Sequence, residues 1–511
     1  MNFRLLSILL LLVFISGCQT TPKKQDAKLL STNHGYLFVN FLRSNATLQV
    51  KNLKTKKNYT LDSGMWIPEG DYIINKIGSQ RRIKGFPKIQ IKTGHITNMG
   101  SLIYFNIGDG KQVWLPKHLG YEKDLLKQHE LEFKPYLNQN KVLTWKVKKT
   151  PSFSDVVGPS GQGIIENMIL RYAHSVQQGK LKKSLYEEQD IDKFYELAVK
   201  TLPPIPNQLP GIDNKENLYF GAELGVIKKR KNDGSWESIQ TNVISDINIV
   251  RYLPEGNLLV ANKNGEILFG LDNNTKWEVV TKFSKKENIE DIDILDGKVY
   301  VVTSVYDSLP FIAGGESYEL KVYELSANNL ENKSIIYNEK RKLGYLPHAK
   351  IVNDNYYIGL APDSLDVIDL NTKKINQLKL PQKFTDFNVS DKGVITLYNK
   401  QGAFSDLFIS NDNGGTWSEL KTPTYTIGTI FFETPEKGHA YRISSGAFDV
   451  TYILQKYQPK NRKKWVNVSK APEDCKYILH DEKYYPKFCV SKSDEIYSFS
   501  SGEWYKEINI L

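Results

Sequence analysis

Bulky residues recurring about every 40 residues, short alternating apolar runs between them, and Gly, Asn and Asp turns separating those runs together predict a mainly β chain. The fold class they predict is a seven-bladed β-propeller preceded by a small β-sandwich and a short helical segment. From residue 213 onward the anchors are Trp236, Trp277, Ile335, Ile375, Trp417, Trp465 and Trp504, at intervals of 41, 58, 40, 42, 48 and 39. Each interval has room for four short strands, and radial repetition protects the edges of such small sheets.

In chain order, the first element is a leader. Residues 1–17 carry one positive charge, at Arg4, ahead of an apolar run; such a run is too short to span a bilayer as a stable helix and reads as a secretory signal. It ends in Ile15-Ser16-Gly17-Cys18, which resembles the lipobox of bacterial lipoproteins. The resemblance implies that Cys18 becomes the acylated first residue of the mature chain, with palmitate among its acyl groups. It also implies stable membrane anchoring, because two or more acyl chains exceed what one chain achieves. Gln19 resembles the outer-membrane-sorted class, which places the protein in the cell envelope, lipid-anchored at the outer membrane on its periplasmic or surface face. Residues 18–32 are polar and aperiodic, as expected of a flexible tether.

Residues 33–150 read as a small β-sandwich-like domain. GYLFVNFL, ATLQVKNL, KNYTLDSG, DYIINKI and PKIQIKTG alternate and are punctuated by turn residues. Within it, Trp66-Ile-Pro-Glu-Gly-Asp-Tyr72 resembles the Pro-Gly-x-Tyr hairpin of small surface β-sandwich modules of the PEGA or transthyretin-like type. Residues 151–204 form a helical linker. Ile164, Ile165, Met168, Ile169, Tyr172 and Val176 make one apolar stripe, and a second helix is expected from about Asp190 to Thr201, stopped by Pro203-Pro204-Ile-Pro206. Residues 205–511 are the propeller.

Within the propeller, SNDNGGTW at 410–417 follows the strand-like run Asp406-Leu-Phe-Ile409. It resembles the Asp box, or bacterial neuraminidase repeat, at every fixed position: Ser410, Asp412, Gly414, Thr416 and Trp417. Ser and Asp side chains suit backbone N–H groups of a tight turn, and Gly accepts a conformation costly for other residues. In the family this turn joins the two outermost strands, away from the axial face where ligands bind, so the motif implies scaffolding. Copies at Asn232–Trp236 and Asp272–Trp277 are degenerate. The family includes sialidases, and so an alternative function as a glycoside hydrolase or sialidase-like carbohydrate-active enzyme with an axial active site. A sialidase needs three clustered arginines. From residue 213 the arginines are 230, 251, 341, 442 and 462, with 230 and 462 expected in outer turns; Tyr441-Arg442-Ile443-Ser444 lacks the proline of the sialidase segment.

Asp246-Ile-Asn248, Asp291-Ile-Asp293 and Asp386-Phe-Asn388 recur in what should be the innermost strands, with His348 at the corresponding point of the fourth unit. Such a polar ring lines the axis, either to hold a cation, water or ligand group through oxygen atoms or to fix the register of neighbouring blades. The longest interval contains an apolar, glycine-rich insertion, Asp307 to Glu316, which makes Phe311 and Ile312 the candidate contacts of a binding loop. Cys475 and Cys489 lie seven residues either side of Glu482, which puts them opposite each other across a hairpin and predicts a disulfide.

The formal charge of +11, about +10 without the leader, is spread among acids and bases, with no arginine-rich run. A secreted chain of this kind is not expected to bind nucleic acid, whereas anionic lipid and glycan are left open by a mildly basic surface. No catalytic motif is present, the histidines lack ligand spacing, and neither metal nor cofactor is expected. The sequence therefore points to a non-catalytic binding or assembly scaffold whose partner is an envelope protein or glycan.

Overall fold

A computed structural model describes residues 33–507 except 79, 82–84, 109–110, 121–122, 124, 128–141, 152–153, 156–184, 186, 203, 206–208, 272–275, 285, 309–315, 328, 342–344, 400–405, 424–429, 446–449, 462–463, 473–474, 481–485 and 492–495. The leader, Cys18, the tether, the expected helix around Ile164–Val176, and Phe311 and Ile312 lie outside the described residues. Two compact units divide between Ala198 and Val199. No described helix is long and apolar enough to cross a membrane.

In the first unit the strands are β1 (His34–Leu42), β2 (Leu48–Asn52), β3 (Asn58–Leu61), β4 (Gly64–Pro68), β5 (Gly70–Ile77), β6 (Gln80–Arg81), β7 (Ile89–Ile91), β8 (Ile96–Gly108), β9 (Lys111–Lys117), β10 (Val142–Thr144) and β11 (Ser154–Asp155). One sheet runs β11-β9-β8-β1-β4 and the other β3-β2-β5-β6. Period-2 alternation turns Leu37, Val39, Leu48, Val50, Tyr72, Ile74 and Leu102 into one shared core. The expected hairpin at Pro68-Glu-Gly70 does not form: β4 pairs with β1 and β5 with β2, so these residues carry the chain from one sheet to the other. Gly70 takes φ +150° at this crossover, and the Tyr72 hydroxyl donates to Pro68 O at 2.7 Å. The second expected helix is α1 (Ile191–Lys200).

The second unit is a β-propeller. Among the described residues its first sheet comprises β12 (Pro204–Ile205), β13 (Gly211–Ile212), β14 (Leu218–Ala222), β15 (Val226–Arg230) and β16 (Trp236–Gln240). Six four-stranded antiparallel sheets follow in strict chain order. They are β17 (Ile247–Tyr252) to β20 (Trp277–Lys282), β21 (Asn288–Leu295) to β24 (Asn329–Arg341), β25 (Tyr345–Val352) to β28 (Ile375–Gln377), β29 (Asp386–Val389) to β32 (Ser418–Leu420), β33 (Ile430–Thr434) to β36 (Trp465–Lys470), and β37 (Cys475–His480) to β40 (Glu503–Lys506). Apolar clusters fill each gap between successive sheets, from Tyr219, Ile247 and Trp277 between the first two to Tyr441, Cys475 and Cys489 between the last two. A further cluster joins last to first, with Phe488 and Ile496 against Leu218, Phe220 and Trp236. Closure is reinforced by a bidentate ion pair between Arg230 and Glu507. Arg230 thus ends a strand in the interior rather than sitting in an outer turn.

Two expected anchors are corrected. Trp236, Trp277 and Trp465 are buried, whereas Ile335 and Ile375 are 54% and 49% exposed. In β24 a register irregularity leaves Ile336 unpaired, with Val322 opposite Tyr337 and Tyr323 opposite Ile335. Tyr337 takes the inward position, and its hydroxyl donates to Asp366 Oδ2 at 2.6 Å. Beyond β28, Leu378 and Leu380 pack in place of Ile375.

The disulfide joins Cys475 and Cys489 across β37 and β38 (Pro486–Ser491) with Cα atoms 5.6 Å apart. The residues are not strand partners, however: Cys475 faces Ser491 and Cys489 faces Ile478, because two register irregularities displace the ladder from a symmetric hairpin.

Candidate functional site

Each sheet runs from an inner first strand to an outer fourth strand, and the inner strands of successive sheets lie side by side around the axis. Because the sheets are antiparallel, the first-to-second and third-to-fourth turns share one face. The second-to-third turns and the links between sheets share the other.

Residues at one axial level are found by counting back from the hairpin that ends each inner strand. In the second sheet that hairpin closes at Leu253–Asn257, in the third at Leu295–Lys298, in the fourth at Val352–Asn355 and in the fifth at Ser390–Val394. Two residues earlier stand Arg251, Asp293, Lys350 and Asn388. Of the residues expected to form a ring, the structure thus brings Asp293 and Asn388 to one level, together with two cations that sequence reasoning missed. Asn248 sits at a bulge of β17, and the equivalent bulge of β21 falls at Glu290, so the triplets beginning at Asp246 and Asp291 are out of step by three residues. Asp246 lies just before β17 and Asp386 begins β29. His348 occupies β25 opposite Gly359.

The two cations reach across to the next sheet. Arg251 donates through Nε to Ile292 O at 2.5 Å and through Nη2 to Asp291 Oδ1 at 2.6 Å. Its Nη1 donates to Leu209 O at 2.9 Å, so one guanidinium connects segments before, within and after its own sheet. Lys350 Nζ donates to Val389 O at 3.0 Å and to Asp391 at 2.8 Å. One sheet later, Ser390 Oγ donates to Glu433 O at 3.1 Å. Asp246 is similarly committed, accepting Leu224 N at 3.3 Å and pairing with Lys263 at 2.8 Å.

Asp293 differs. Its Oδ2 and the Tyr356 hydroxyl from the neighbouring sheet are both buried and act on each other, but neither meets the geometry of a full hydrogen bond with any partner. Burial, then the charge of Asp291, raises the Asp293 carboxyl well above the usual range, and burial with the Asp293 charge raises Tyr356. Asn248 Oδ1 is also buried without a partner. Among the described residues no group of three or more His, Cys, Asp or Glu side chains could hold a metal ion.

SNDNGGTW forms the β31 (Asp406–Ser410) to β32 turn. Ser410 Oγ accepts Gly414 N at 2.8 Å and donates to Asp412 Oδ1 at 2.8 Å; Asp412 accepts Thr416 N at 2.8 Å and Thr416 Oγ1 at 2.7 Å. These bonds, led by that of the Thr416 side chain, hold the Asp412 carboxyl down to about 2. Gly414 adopts φ +85°, and a Cβ there would lie 2.6 Å from Leu378 of the preceding sheet. Trp417 Nε1 donates to Lys379 O at 3.0 Å and Trp465 Nε1 to Lys421 O at 2.7 Å, each acceptor lying just past the outer strand of the preceding sheet.

On the same face an open polar recess of about 520 Å³ is lined by Asp296, Lys298, Glu324, Ser326, Asn332 and Lys333. Glu324 is held there by Lys298 at 3.3 Å and by Lys373. The flanks of the expected insertion lengthen its sheet, with β22 (Lys298–Ser308) and β23 (Glu316–Ser326) pairing through to Ser308 opposite Glu316; residues 309–315 between them lie outside the described residues.

No family model matches the chain, and no curated protein matches it by sequence. Among solved structures it is similar to YCF48 bound to a D1 peptide, at 12% identity over 60% of this chain and 92% of that one, with a TM-score of 0.40. It is also similar to BamB from Moraxella catarrhalis (11%; 58% and 83%; TM-score 0.31) and to oligogalacturonate lyase from Vibrio parahaemolyticus (9%; 59% and 88%; TM-score 0.39).

Proposed function

We propose that this chain is a lipid-anchored cell-envelope protein whose seven-bladed propeller is a non-catalytic scaffold for binding or assembling a protein or glycan partner. The observation that supports this reading is the employment of the inner-strand carboxylates. Asp291 and Asp246 are engaged by Arg251 and Lys263, and the axial cations take neighbouring backbone carbonyls. A hydrolase acting with two carboxyl groups needs both directed at a sugar, about 5–9.5 Å apart. The bonds within SNDNGGTW, together with that of Trp417 Nε1 to Lys379 O just past the outer strand of the preceding sheet, likewise support its Asp-box reading as a brace between sheets.

Crosslinking in intact cells followed by mass spectrometry tests the scaffold, with a defined envelope complex as the expected product. Metabolic labelling with an alkyne fatty acid tests the anchor: the wild type should take up label and Cys18→Ala should not. One observation favours the alternative, a carbohydrate-active enzyme: a buried carboxyl with a raised pKa beside a second carboxylate, as in Asp293 and Asp291, resembles an acid–base pair. Glycan turnover by the purified protein, lost in Asp293→Asn, would replace the scaffold reading.

A further inference from the structure

We infer that the turn between β2 and β3 is a basic finger that binds anionic phospholipid headgroups at the membrane holding the protein, an inference that rests on the acylation of Cys18 proposed above. Lys51, Lys54, Lys56 and Lys57 fall within seven residues, and no Asp or Glu occurs between residues 33 and 61. Lys54, Lys56 and Lys57 are exposed. The turn that carries them is fixed from within. Asn52, only 4% exposed, accepts Lys54 N at 2.9 Å and Thr55 N at 2.8 Å through Oδ1. Its backbone N–H donates to Lys57 O at 2.9 Å and its carbonyl accepts Lys56 N at 3.0 Å, with Lys56 at φ +60°. Lys57 Nζ lies 5.4 Å from the centroid of the Tyr59 ring. Three ammonium groups are therefore displayed on a turn that loses little backbone freedom on binding.

The position of the finger supplies the second argument. Asn33 O accepts Glu69 N at 3.2 Å, and Leu53 N donates to Asp71 O at 2.9 Å. Glu69 to Asp71 is one short backbone segment, so the chain enters this unit at the same end as the lysines. The acidic side chains of that segment are Asp71, exposed at the start of β5, and Glu69, held by Thr93 at 2.6 Å. Between Cys18 and Asn33 the chain can extend at most about 50 Å. Acylation at Cys18 thus keeps the finger within reach of a headgroup layer, and an acyl anchor with a basic patch is a recurrent pairing of membrane signals. A lysine near an anionic surface is worth about 1 kcal/mol, or about fivefold in affinity, so three supply about 100-fold.

The test uses the chain from residue 18 onward with Cys18→Ser, which keeps every described residue and carries no acyl group. It is sedimented with vesicles of phosphatidylcholine alone or of phosphatidylcholine with phosphatidylglycerol. Salt-sensitive binding to the second kind only is expected, weakened about 100-fold in the Lys54→Gln/Lys56→Gln/Lys57→Gln variant; unchanged circular dichroism and Tm exclude misfolding. Equal binding to both vesicle types, a triple variant that binds as before, or binding to a soluble polyanionic glycan but not to anionic vesicles overturns the inference. A missing fatty-acid label in cells would remove the anchor alone and leave this measurement intact.

Discussion

Replacing Glu507 by Gln should loosen the ring where its last sheet meets its first. The carboxylate receives both Nε and Nη2 of Arg230, and the two side chains are only 11% and 9% exposed. The guanidinium also lies 4.5 Å from the centroid of Phe488, inside the apolar cluster that joins the two sheets. Taking one charge from a buried pair leaves the other uncompensated, at a cost of about 3–5 kcal/mol. The unit Val199–Leu511 has about 310 residues, and at about 2.1 cal/mol/K of unfolding entropy per residue this corresponds to a fall in Tm of about 5–8 °C. Calorimetry measures it directly. Arg230→Met/Glu507→Leu should recover most of the loss, since two apolar side chains of similar volume replace the pair without a stranded charge. An unchanged Tm in Glu507→Gln, or a double variant no better than the single one, would refute the role of this clasp.

Three further outcomes can be checked by denaturant and thermal unfolding. Ser410→Ala removes the acceptor of Gly414 N, and Gly414→Ala forces φ +85° on a residue with a Cβ facing Leu378; each should cost more than about 1 kcal/mol, and neither would if the turn were passive. Lys228 is 1% exposed, donates to Lys200 O at 2.8 Å and Ser238 Oγ at 2.9 Å, and is pushed by burial down to about 8. Between that value and its ordinary 10.5 the unfolded chain binds a proton that the folded chain does not, so stability should rise with pH from about 8, by at most about 3 kcal/mol. Relative to wild type, Lys228→Met should lack that rise, and an identical pH slope would contradict it. Reduction of the Cys475–Cys489 bond reopens a loop of about 15 residues, worth about 3 kcal/mol, and should lower Tm by about 4–5 °C; a Cys475→Ser/Cys489→Ser variant should match the reduced protein.

The repeat was legible in the sequence because tryptophan is large: Trp236, Trp277 and Trp465 bury wherever strand order puts them, and their spacing tracks the sheets. Ile335 and Ile375 were misleading for the opposite reason. Side chains in a strand alternate between faces, so one unpaired residue reverses which neighbour is inside, and a bulge leaves no mark in composition. The unpaired Ile336 puts Tyr337 inward in this way. A similar fault separates the acidic triplets: Asn248 and Glu290 are the equivalent bulge residues, though Asn248 and Asp293 hold the same place in their sequence motifs. Counting from the hairpin turns, rather than from the motif, would have aligned Arg251 with Lys350. No local signal could have found the Arg230–Glu507 pair, whose members are 277 residues apart.

The axial cations follow from a constraint on every inner strand. Such a strand has a ladder partner on one side only, and the carbonyls on its other side must find donors or water, since a buried carbonyl without either is costly. Arg251 and Lys350 meet this need from the preceding sheet, and Ser390 does so with a shorter side chain. A guanidinium suits the most demanding position because its fixed fork reaches Ile292 O, Leu209 O and Asp291 together, which a lysine cannot do. Asp291 is then the counter-charge that makes a buried guanidinium tolerable. Asp293 is left buried beside that carboxylate, and the facing Tyr356 hydroxyl offsets only part of the effect, so its raised pKa follows from bracing adjacent sheets. Its raised pKa is explained by burial and a like charge, without any substrate having to be invoked.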